Sequence, residues 1–139
     1  MIYRLIYASR ARAFRSEDVA GILRQSRDNN AAASITGALC LLDGVYMQYL
    51  EGPQAAVERL YSIILADDRH QQVKLLDRGP APARVFADWS MALLDWDERI
   101  RAVFLLHGMP HPLDLYATPS DHAAALFGAI ARTPGWVAL

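Results

Sequence analysis

Apolar residues fill both faces of one short stretch, residues 45–52, which reads V-Y-M-Q-Y-L-E-G. In a strand, alternate side chains point to opposite faces. From Val45 to Leu50 both faces are apolar except at Gln48, so the pattern predicts a strand that is covered on both sides. An unpaired polar group of a buried glutamine costs about 1–3 kcal/mol. We therefore expect polar partners at Gln48 both from the protein and from a ligand.

The rest of the hydrophobic pattern predicts the order β-α-β-β-α-β, followed by one further strand. Asp43-Gly44 predicts a tight hairpin, because a type I′ turn needs positive φ at both positions. Gly79–Pro82 is predicted to be a loop, since proline removes a donor and restricts the residue before it. The expected strands are 2–9, 35–42, 45–52, 73–77 and 86–94, and the expected helices run from 16 to about 29–30 and from 53 to about 67–70. This order is typical of an α+β, ferredoxin-like βαββαββ mixed sheet with two helices over one face.

The C-terminal part of the chain has a different pattern. Helices are expected at 100–106 and 120–132, with a break at 108–112 that contains glycine and two prolines. An apolar stripe in the second of these helices predicts that the extension covers the other face of the sheet. We therefore expect a core at residues 1–95 and a helical extension at 96–139, with no second domain.

Composition limits the classes of function. The chain has 139 residues, 53% of them hydrophobic, and a formal net charge of -1, which fits one globular domain and argues against a nucleic-acid partner. No apolar run is long enough to span a membrane, so no membrane partner is expected. The lone cysteine, Cys40, lies in an apolar run and predicts a buried side chain. Without a signal-peptide pattern, a cytoplasmic location is expected.

No enzymatic motif is found in the sequence. There is no glycine-rich phosphate loop, and the four histidines do not have metal-ligand spacing. Polar residues do occur at the ends of apolar elements. A slot between the two helices, floored by Tyr7 and Gln48 and rimmed by Asn30, Asp67 and Arg69, suits a flat heterocycle with polar edges. From the residues alone, helix caps and a satisfied core glutamine explain the same pattern.

A resemblance to a known family favours the slot. The motifs that carry it are L-I-Y-A-S-R-A at 5–11, S-R-D-N-N at 26–30, I-T-G-A-L at 35–39, M-Q-Y-L-E-G-P at 47–53, D-D-R-H at 67–70 and F-A-D-W-S-M at 86–91. In this order and spacing, residues 2–94 resemble the BLUF family, blue-light sensors that use a flavin. The chain is similar to the short, single-domain type of that family.

The resemblance implies a role for each matching position. Tyr7 and Gln48 match the photoactive tyrosine and the switching glutamine. The implied cofactor-binding set is Tyr7, Ile22, Ser26, Asn29, Asn30, Gln48, Ile64, Asp67, Arg69 and His70. Trp89 and Met91 match the fifth-strand pair that relays the signal, and which of them lies beside Gln48 is open at this point. A basic residue found in some members just before the Ile64 position is Ile63 here, so the phosphate contact falls to Arg69, His70 or solvent.

The implied function is blue-light sensing without enzymatic activity. Light would drive an electron and a proton from Tyr7 through Gln48, rearrange the hydrogen bonds around the flavin, and give a red-shifted state that returns in the dark. The expected cofactor is FAD, with FMN and riboflavin as alternatives. The signal would pass to an unidentified downstream protein or between subunits of a homo-oligomer. The alternatives are a flavin-binding enzyme and an interaction module without photoactivity.

Overall fold

The computed structural model describes residues 2–11, 16–94, 98–107, 109, 114–133 and 136–138. Its elements are β1 Ile2–Ala11, α1 Ser16–Ala32, β2 Thr36–Leu42, β3 Val45–Gly52, α2 Gln54–Ala66, β4 His70–Ala81, β5 Ala92–Leu94, α3 Glu98–Leu106, α4 Ala123–Ile130 and β6 Trp136–Ala138. Two short 3₁₀ turns, Leu115–Ala117 and Ser120–His122, precede α4.

The strands form a single mixed sheet in the order β4-β1-β3-β2-β5-β6. β1 and β3 are central and antiparallel, and Tyr7 lies opposite Gln48 in their register. β2 and β5 are parallel, whereas the hairpin strands β2 and β3 are antiparallel. The α+β, ferredoxin-like prediction is confirmed, and so is the expectation that Tyr7 and Gln48 are neighbours on adjacent strands.

The hairpin between β2 and β3 has the predicted turn. Asp43 and Gly44 have φ values of 52° and 75°, as a type I′ turn requires. Leu42 pairs directly with Val45 across this turn. The turn sets the register of β3, and the register decides that Gln48 points to the same face as Tyr7.

Each face of the sheet has its own hydrophobic core. The core beneath α1 and α2 contains Leu5, Tyr7 and Leu50 from the central strands, together with Ile22 and Val57 from the helices. The core on the opposite face is built from the intervening strand residues and from α3 and α4. Its buried side chains include Ile6, Met47, Tyr49, Phe104, Leu126, Phe127 and Ile130. Two-sided coverage of the β3 stretch and packing of the C-terminal helices on the second face are therefore confirmed.

α1 extends beyond its predicted end. It continues through Asn29 and Asn30 to Ala32, and the left-handed residue is Ser34, with a φ of 60°. The N–H of Ile35 donates to the carbonyl oxygen of Asn30 at 2.8 Å, which closes the end of the helix. The expected asparagine stop was wrong because Asn30 is 1% exposed and its side chain bonds another segment.

β4 is longer than predicted at both ends. His70 begins the strand rather than closing α2, and residues 79–81 pair with the start of β1 instead of forming a loop. β4 is an edge strand, and an edge strand tolerates Pro80 because one row of its N–H groups has no strand partner. The predicted loop at Gly79–Pro82 is therefore corrected to strand through Ala81.

The end of the sheet also departs from the predictions. β5 has three residues, Ala92–Leu94, and the predicted centre of the strand, Trp89, Ser90 and Met91, precedes it. A turn from the Phe86 carbonyl oxygen to the Trp89 N–H, 3.1 Å, keeps this segment out of the ladder. β6 was not predicted, because a three-residue strand is too short to show a period. The expected boundary at 95/96 and most of the expected break at 108–112 fall outside the described residues.

Candidate functional site

A cleft opens between α1 and α2 above the middle of β3, with an internal volume of about 230 Å³. All the predicted cofactor residues except Tyr7 line it. The lining residues are Ile22, Gln25, Ser26, Asn29, Asn30, Ala33, Ile35, Gln48, Ala56, Arg59, Leu60, Ile63, Ile64, Asp67, Arg69 and His70. Seven of these residues are aliphatic and nine are polar or charged, so the cleft combines apolar walls with groups that can orient a flat organic ligand.

Gln48 forms the polar part of the floor, and the protein satisfies both ends of its amide. The hydroxyl of Tyr7 donates to Gln48 Oε1 beneath the cleft. On the other side, Gln48 Nε2 donates to Met91 Sδ at 3.5 Å. A thioether sulfur is a weak acceptor, so the second contact is the weaker one. The amide orientation is thus determined by a donor on one side and an acceptor on the other.

Tyr7 is fully buried and reaches the cleft through Gln48 rather than lining it. The expectation that Tyr7 forms part of the floor is therefore corrected. Burial raises the pKa of its phenol far above the ordinary value, and the neighbouring Tyr46 and Tyr61 add to the shift. Tyr7 is accordingly a neutral donor whose hydroxyl proton points at a single acceptor.

Asn30 presents an unsatisfied acceptor. Its Nδ2 donates to the carbonyl oxygen of Ser90 at 3.0 Å, which holds the side chain in place. Its Oδ1 is buried and has no hydrogen-bond partner among the described residues. An orphaned buried acceptor is costly unless a ligand supplies a donor. A ring N–H, such as the one on the edge of a flavin, would satisfy it.

Two isoleucines face the cleft from opposite helices. Ile22 of α1 is 5% exposed and Ile64 of α2 is 7% exposed, and both contribute to the same core. Aliphatic side chains on either side of a slot suit a flat aromatic ring. Ile63 also lines the cleft but is 54% exposed, which places it at the mouth.

An ion pair between Asp67 and Arg69 lies at the end of the cleft, just after α2. Arg69 donates from Nη2 to Asp67 Oδ2 at 2.6 Å and to Gln25 Oε1 at 2.7 Å, and this second bond links the region to α1. The hydrogen bonds from Arg69 lower the pKa of Asp67 below its usual value. Much of the positive charge of Arg69 is therefore neutralised within the protein.

His70 lines the cleft and lies next to Tyr7. Its Nδ1 is 2.8 Å from Ser9 Oγ, and its ring packs edge-on against Tyr7 with centroids 5.9 Å apart. Burial lowers the pKa of His70, so the imidazole is neutral near pH 7. A neutral His70 is a poor partner for a phosphate and a good packing partner for the Tyr7 ring.

The segment before β5 places Met91, not Trp89, beside Gln48. Met91 is fully buried in the core under α1 and α2. Trp89 packs against the core on the opposite face, with its ring centroid 6.1 Å from that of Phe86. The question that the sequence left open is thereby answered for this structure.

A comparison with protein families agrees with this geometry. The BLUF model, described as sensors of blue-light using FAD, matches residues 2–92. The chain belongs to the BLUF family. The BLUF match covers both helices of the cleft, the two central strands and Met91, so the family assignment and the site concern the same part of the molecule.

Several proteins of known structure or function are similar to this BLUF chain. The photo-activated state of BlsA superposes with a TM-score of 0.87 at 28% identity, covering 97% of this chain and 98% of that one. The photoactivated adenylate cyclase subunit beta of Euglena gracilis is 38% identical over 63% of this chain and 10% of its own length. The blue light- and temperature-regulated antirepressor BluF of Escherichia coli (strain K12) is 32% identical over 75% of this chain and 27% of its own.

The similarity to the cyclase subunit covers only a small part of that protein, because this BLUF chain spans about a tenth of its length. The part of the chain that the family model matches, residues 2–92, is a BLUF sensor module. Among the described residues, no group of histidines, cysteines and carboxylates could hold a metal ion. Across those same ranges, no helix is both long and apolar enough to cross a membrane.

Sequence reasoning missed several residues that line the BLUF cleft. Arg59 is the most informative of them, because it is an exposed cation one helical turn before Ile63 on α2. The spacing of four residues to Ile63 was a readable signal that both face the same side. Gln25 was missed although it directly precedes Ser26, since its role depends on contact with Arg69 from a distant element.

Proposed function

We propose that this chain senses blue light with a flavin held in the cleft between α1 and α2, and that Tyr7, Gln48 and Met91 form the switch beneath it. The observation that carries the proposal is the hydrogen bond from the buried Tyr7 hydroxyl to Gln48 Oε1, on the floor of a cleft with an unpaired acceptor at Asn30.

The residues of the cleft fit a flavin at three places. Ile22 and Ile64 would lie on either side of the ring, and Asn30 Oδ1 and Gln48 would meet its polar edge. Ser26, Asn29, Asp67, Arg69 and His70 complete the proposed binding set. Arg59 is the cation at the cleft that forms no ion pair among the described residues, so we assign it, rather than Arg69 or His70, to the phosphate end. This assignment favours FAD or FMN over riboflavin.

When bound, the flavin would supply absorption of blue light and an acceptor for an electron and a proton. Tyr7 is the phenol that is hydrogen-bonded to Gln48 beneath the cleft, and its hydroxyl already donates to the amide oxygen. Loss of an electron makes a phenol strongly acidic, so the Tyr7 proton would move along this hydrogen bond towards Gln48. The fully buried site shields both groups from solvent, and the proton can therefore return to Tyr7.

Rearrangement of Gln48 would be the lasting consequence. In the structure its Nε2 faces Met91 Sδ, and its Oε1 faces the Tyr7 hydroxyl. Rotation or tautomer change of the amide would place an acceptor or a weaker donor opposite Met91 and remove that contact. A hydrogen bond of about 0.5–1.5 kcal/mol net is enough to shift a nearly balanced equilibrium several-fold. We propose that loss of the Met91 contact is the first structural signal.

The output is a change in contact with a downstream protein or with another copy of this chain. The names of two relatives, an adenylate cyclase subunit and an antirepressor, describe proteins in which light controls another activity. β5 follows Met91 directly and pairs with β6, so a displacement of Met91 would reach the C-terminal part of the sheet. We propose that the extension from residue 96 passes on the signal. The cytoplasmic location stays a prediction.

Gln48→Leu tests the proposal at its central residue. The variant should retain bound flavin, because Asn30 and the isoleucine walls remain, and should lose the light-induced red shift. The measurement is a light-minus-dark absorption difference spectrum on the flavin-loaded variant. A normal red shift would show that another residue is the switch. A wild-type protein with bound flavin that only bleaches would support a redox role instead.

A further inference from the structure

Glu51 is a fully buried acidic residue near the end of β3 that has no part in the photochemistry proposed above. Both oxygens of its carboxyl group accept hydrogen bonds. Oε1 accepts from the N–H of Val85 at 2.7 Å, and Oε2 accepts from the N–H of Phe86 at 2.7 Å and from Thr36 Oγ1 at 2.9 Å. Three donors therefore converge on a side chain that is three residues from Gln48 on the same strand.

The donors to Glu51 are held by a further layer of contacts. The guanidinium of Arg84 donates to Thr36 Oγ1 at 2.9 Å and to the carbonyl oxygen of Ser34 at 2.7 Å. The hydrogen bonds to Glu51 thus hold residues 85 and 86 against β3, ahead of the three-residue β5.

The switch segment, residues 85–91, is tied at successive points between Glu51 and Gln48. The Trp89 N–H donates to the Phe86 carbonyl oxygen at 3.1 Å, and the Trp89 carbonyl oxygen accepts from the N–H of Gly37 at 3.2 Å. The Ser90 carbonyl oxygen accepts from Asn30, and Met91 Sδ accepts from Gln48. The Gln48–Met91 bond is the longest of these contacts, at 3.5 Å, and has the weakest type of acceptor.

We propose that Glu51 is a positioning residue that anchors the start of the switch segment to β3, so that rearrangement of Gln48 displaces the Met91 end alone. This inference rests on the proposed function. Two backbone hydrogen bonds fix the Val85 end of the switch segment. When Met91 loses its contact with Gln48, the Met91 end moves and displaces β5. Without the anchor, the whole switch segment would shift, and the position of Met91 against Gln48 in the dark would be less well defined.

Glu51→Gln is the direct test. Glutamine has nearly the same shape, but its amide nitrogen cannot accept, so one of the Val85 and Phe86 N–H groups loses its partner. We expect flavin affinity to stay within about twofold of the wild type, because Glu51 does not line the cleft. The dark-recovery rate should change by at least about threefold, and at least one of the amides of residues 85 and 86 should lose protection from hydrogen exchange.

The matched control is Glu58→Gln. Glu58 lies on α2 and accepts one hydrogen bond, from Tyr3 at 3.2 Å, so the same chemical change is made away from the switch segment. We expect its recovery rate and its amide exchange at 85 and 86 to match the wild type. Thr36→Val is a second test that keeps the carboxyl group and removes one of its donors, and it should give a smaller change in the same direction.

The possible outcomes distinguish failure of the proposed Glu51 anchor from failure of the proposed light-sensing function. Unchanged protection of residues 85 and 86 in Glu51→Gln would overturn the anchor, and lost protection with a wild-type recovery rate would overturn its coupling to the switch. Should Glu51→Gln fail to fold, a wild-type recovery rate in Thr36→Val would overturn the proposal. A wild-type protein without a photocycle would refute the proposed function, while hydrogen exchange would still report whether Glu51 holds the segment.

Discussion

Met91→Leu isolates the weaker of the two contacts that orient Gln48. The substitution replaces the sulfur that accepts from Gln48 Nε2 at 3.5 Å with a carbon that cannot accept. Leucine and methionine have similar volumes, and swaps of this kind cost less than about 1.5 kcal/mol in a core. Met91 is fully buried, so the change is confined to packing and to this one hydrogen bond. The variant should fold and bind flavin as the wild type does.

The expected effect follows from the strength of the lost bond. A hydrogen bond to sulfur at this distance belongs at the low end of the net range, about 0.5–1 kcal/mol. The Met91 contact stabilises the dark orientation of the Gln48 amide over a rearranged one by that amount. Its loss should shift the balance between the two orientations about two- to fivefold. We therefore expect thermal return to the dark state to slow by up to this factor, with the size of the red shift nearly unchanged.

The assay is recovery of the dark absorption spectrum after a saturating blue pulse, compared with a matched control. Met47→Leu is that control, because Met47 neighbours Gln48 on β3, is also fully buried, and accepts a hydrogen bond on sulfur from Thr118 at 3.3 Å on the opposite face. Recovery in Met47→Leu should match the wild type. Equal recovery in the Met91 variant and the wild type would show that Met91 does not bias the amide.

Three further substitutions test the other parts of the site. Tyr7→Phe should keep bound flavin and lose the red shift, whereas Tyr49→Phe, on the opposite face of the sheet, should keep both; a normal shift in Tyr7→Phe would remove the proposed donor. Asn30→Ala should weaken flavin binding about 5- to 150-fold, as expected for about 1–3 kcal/mol, in a fluorescence titration; unchanged affinity would mean that the orphaned acceptor is not a contact. Arg59→Gln should weaken the binding of FMN and FAD by up to about fivefold, which is the loss expected for an exposed pair of charges. It should leave the binding of riboflavin, which has no phosphate, unchanged. Arg24→Gln, on the outside of α1, is the control, and equal losses for all three flavins would refute the phosphate assignment.

Local patterns in the sequence were sufficient for the central part of the fold. The Asp43-Gly44 turn and the alternation of β3 determine which face Gln48 occupies, and both are properties of adjacent residues. The β4 error has a different origin. Proline next to glycine indicates a loop in isolation, but an edge position in the sheet makes Pro80 acceptable, and edge position depends on the whole topology.

The candidate site, like the fold, could be predicted where it depends on local sequence and not where it depends on distant contacts. Nearly all the residues inferred from resemblance line the cleft, yet the sequence could not decide between Trp89 and Met91. That choice depends on where the turn after Phe86 ends, and Glu51 helps to determine it from 35 positions away in sequence. Contacts of that separation leave no periodic signal. The hydrogen bond from Arg69 to Gln25, 44 positions away in sequence, was undetectable for the same physical reason.

The central claim is that this chain holds a flavin whose hydrogen bonds change reversibly in blue light. The most direct test is the absorption spectrum of the purified wild-type protein before illumination, after it, and during dark recovery. The account predicts a flavin spectrum that shifts slightly to the red and returns completely in the dark. A flavin spectrum that stays fixed or bleaches under blue light, or a protein that binds no flavin, would contradict it.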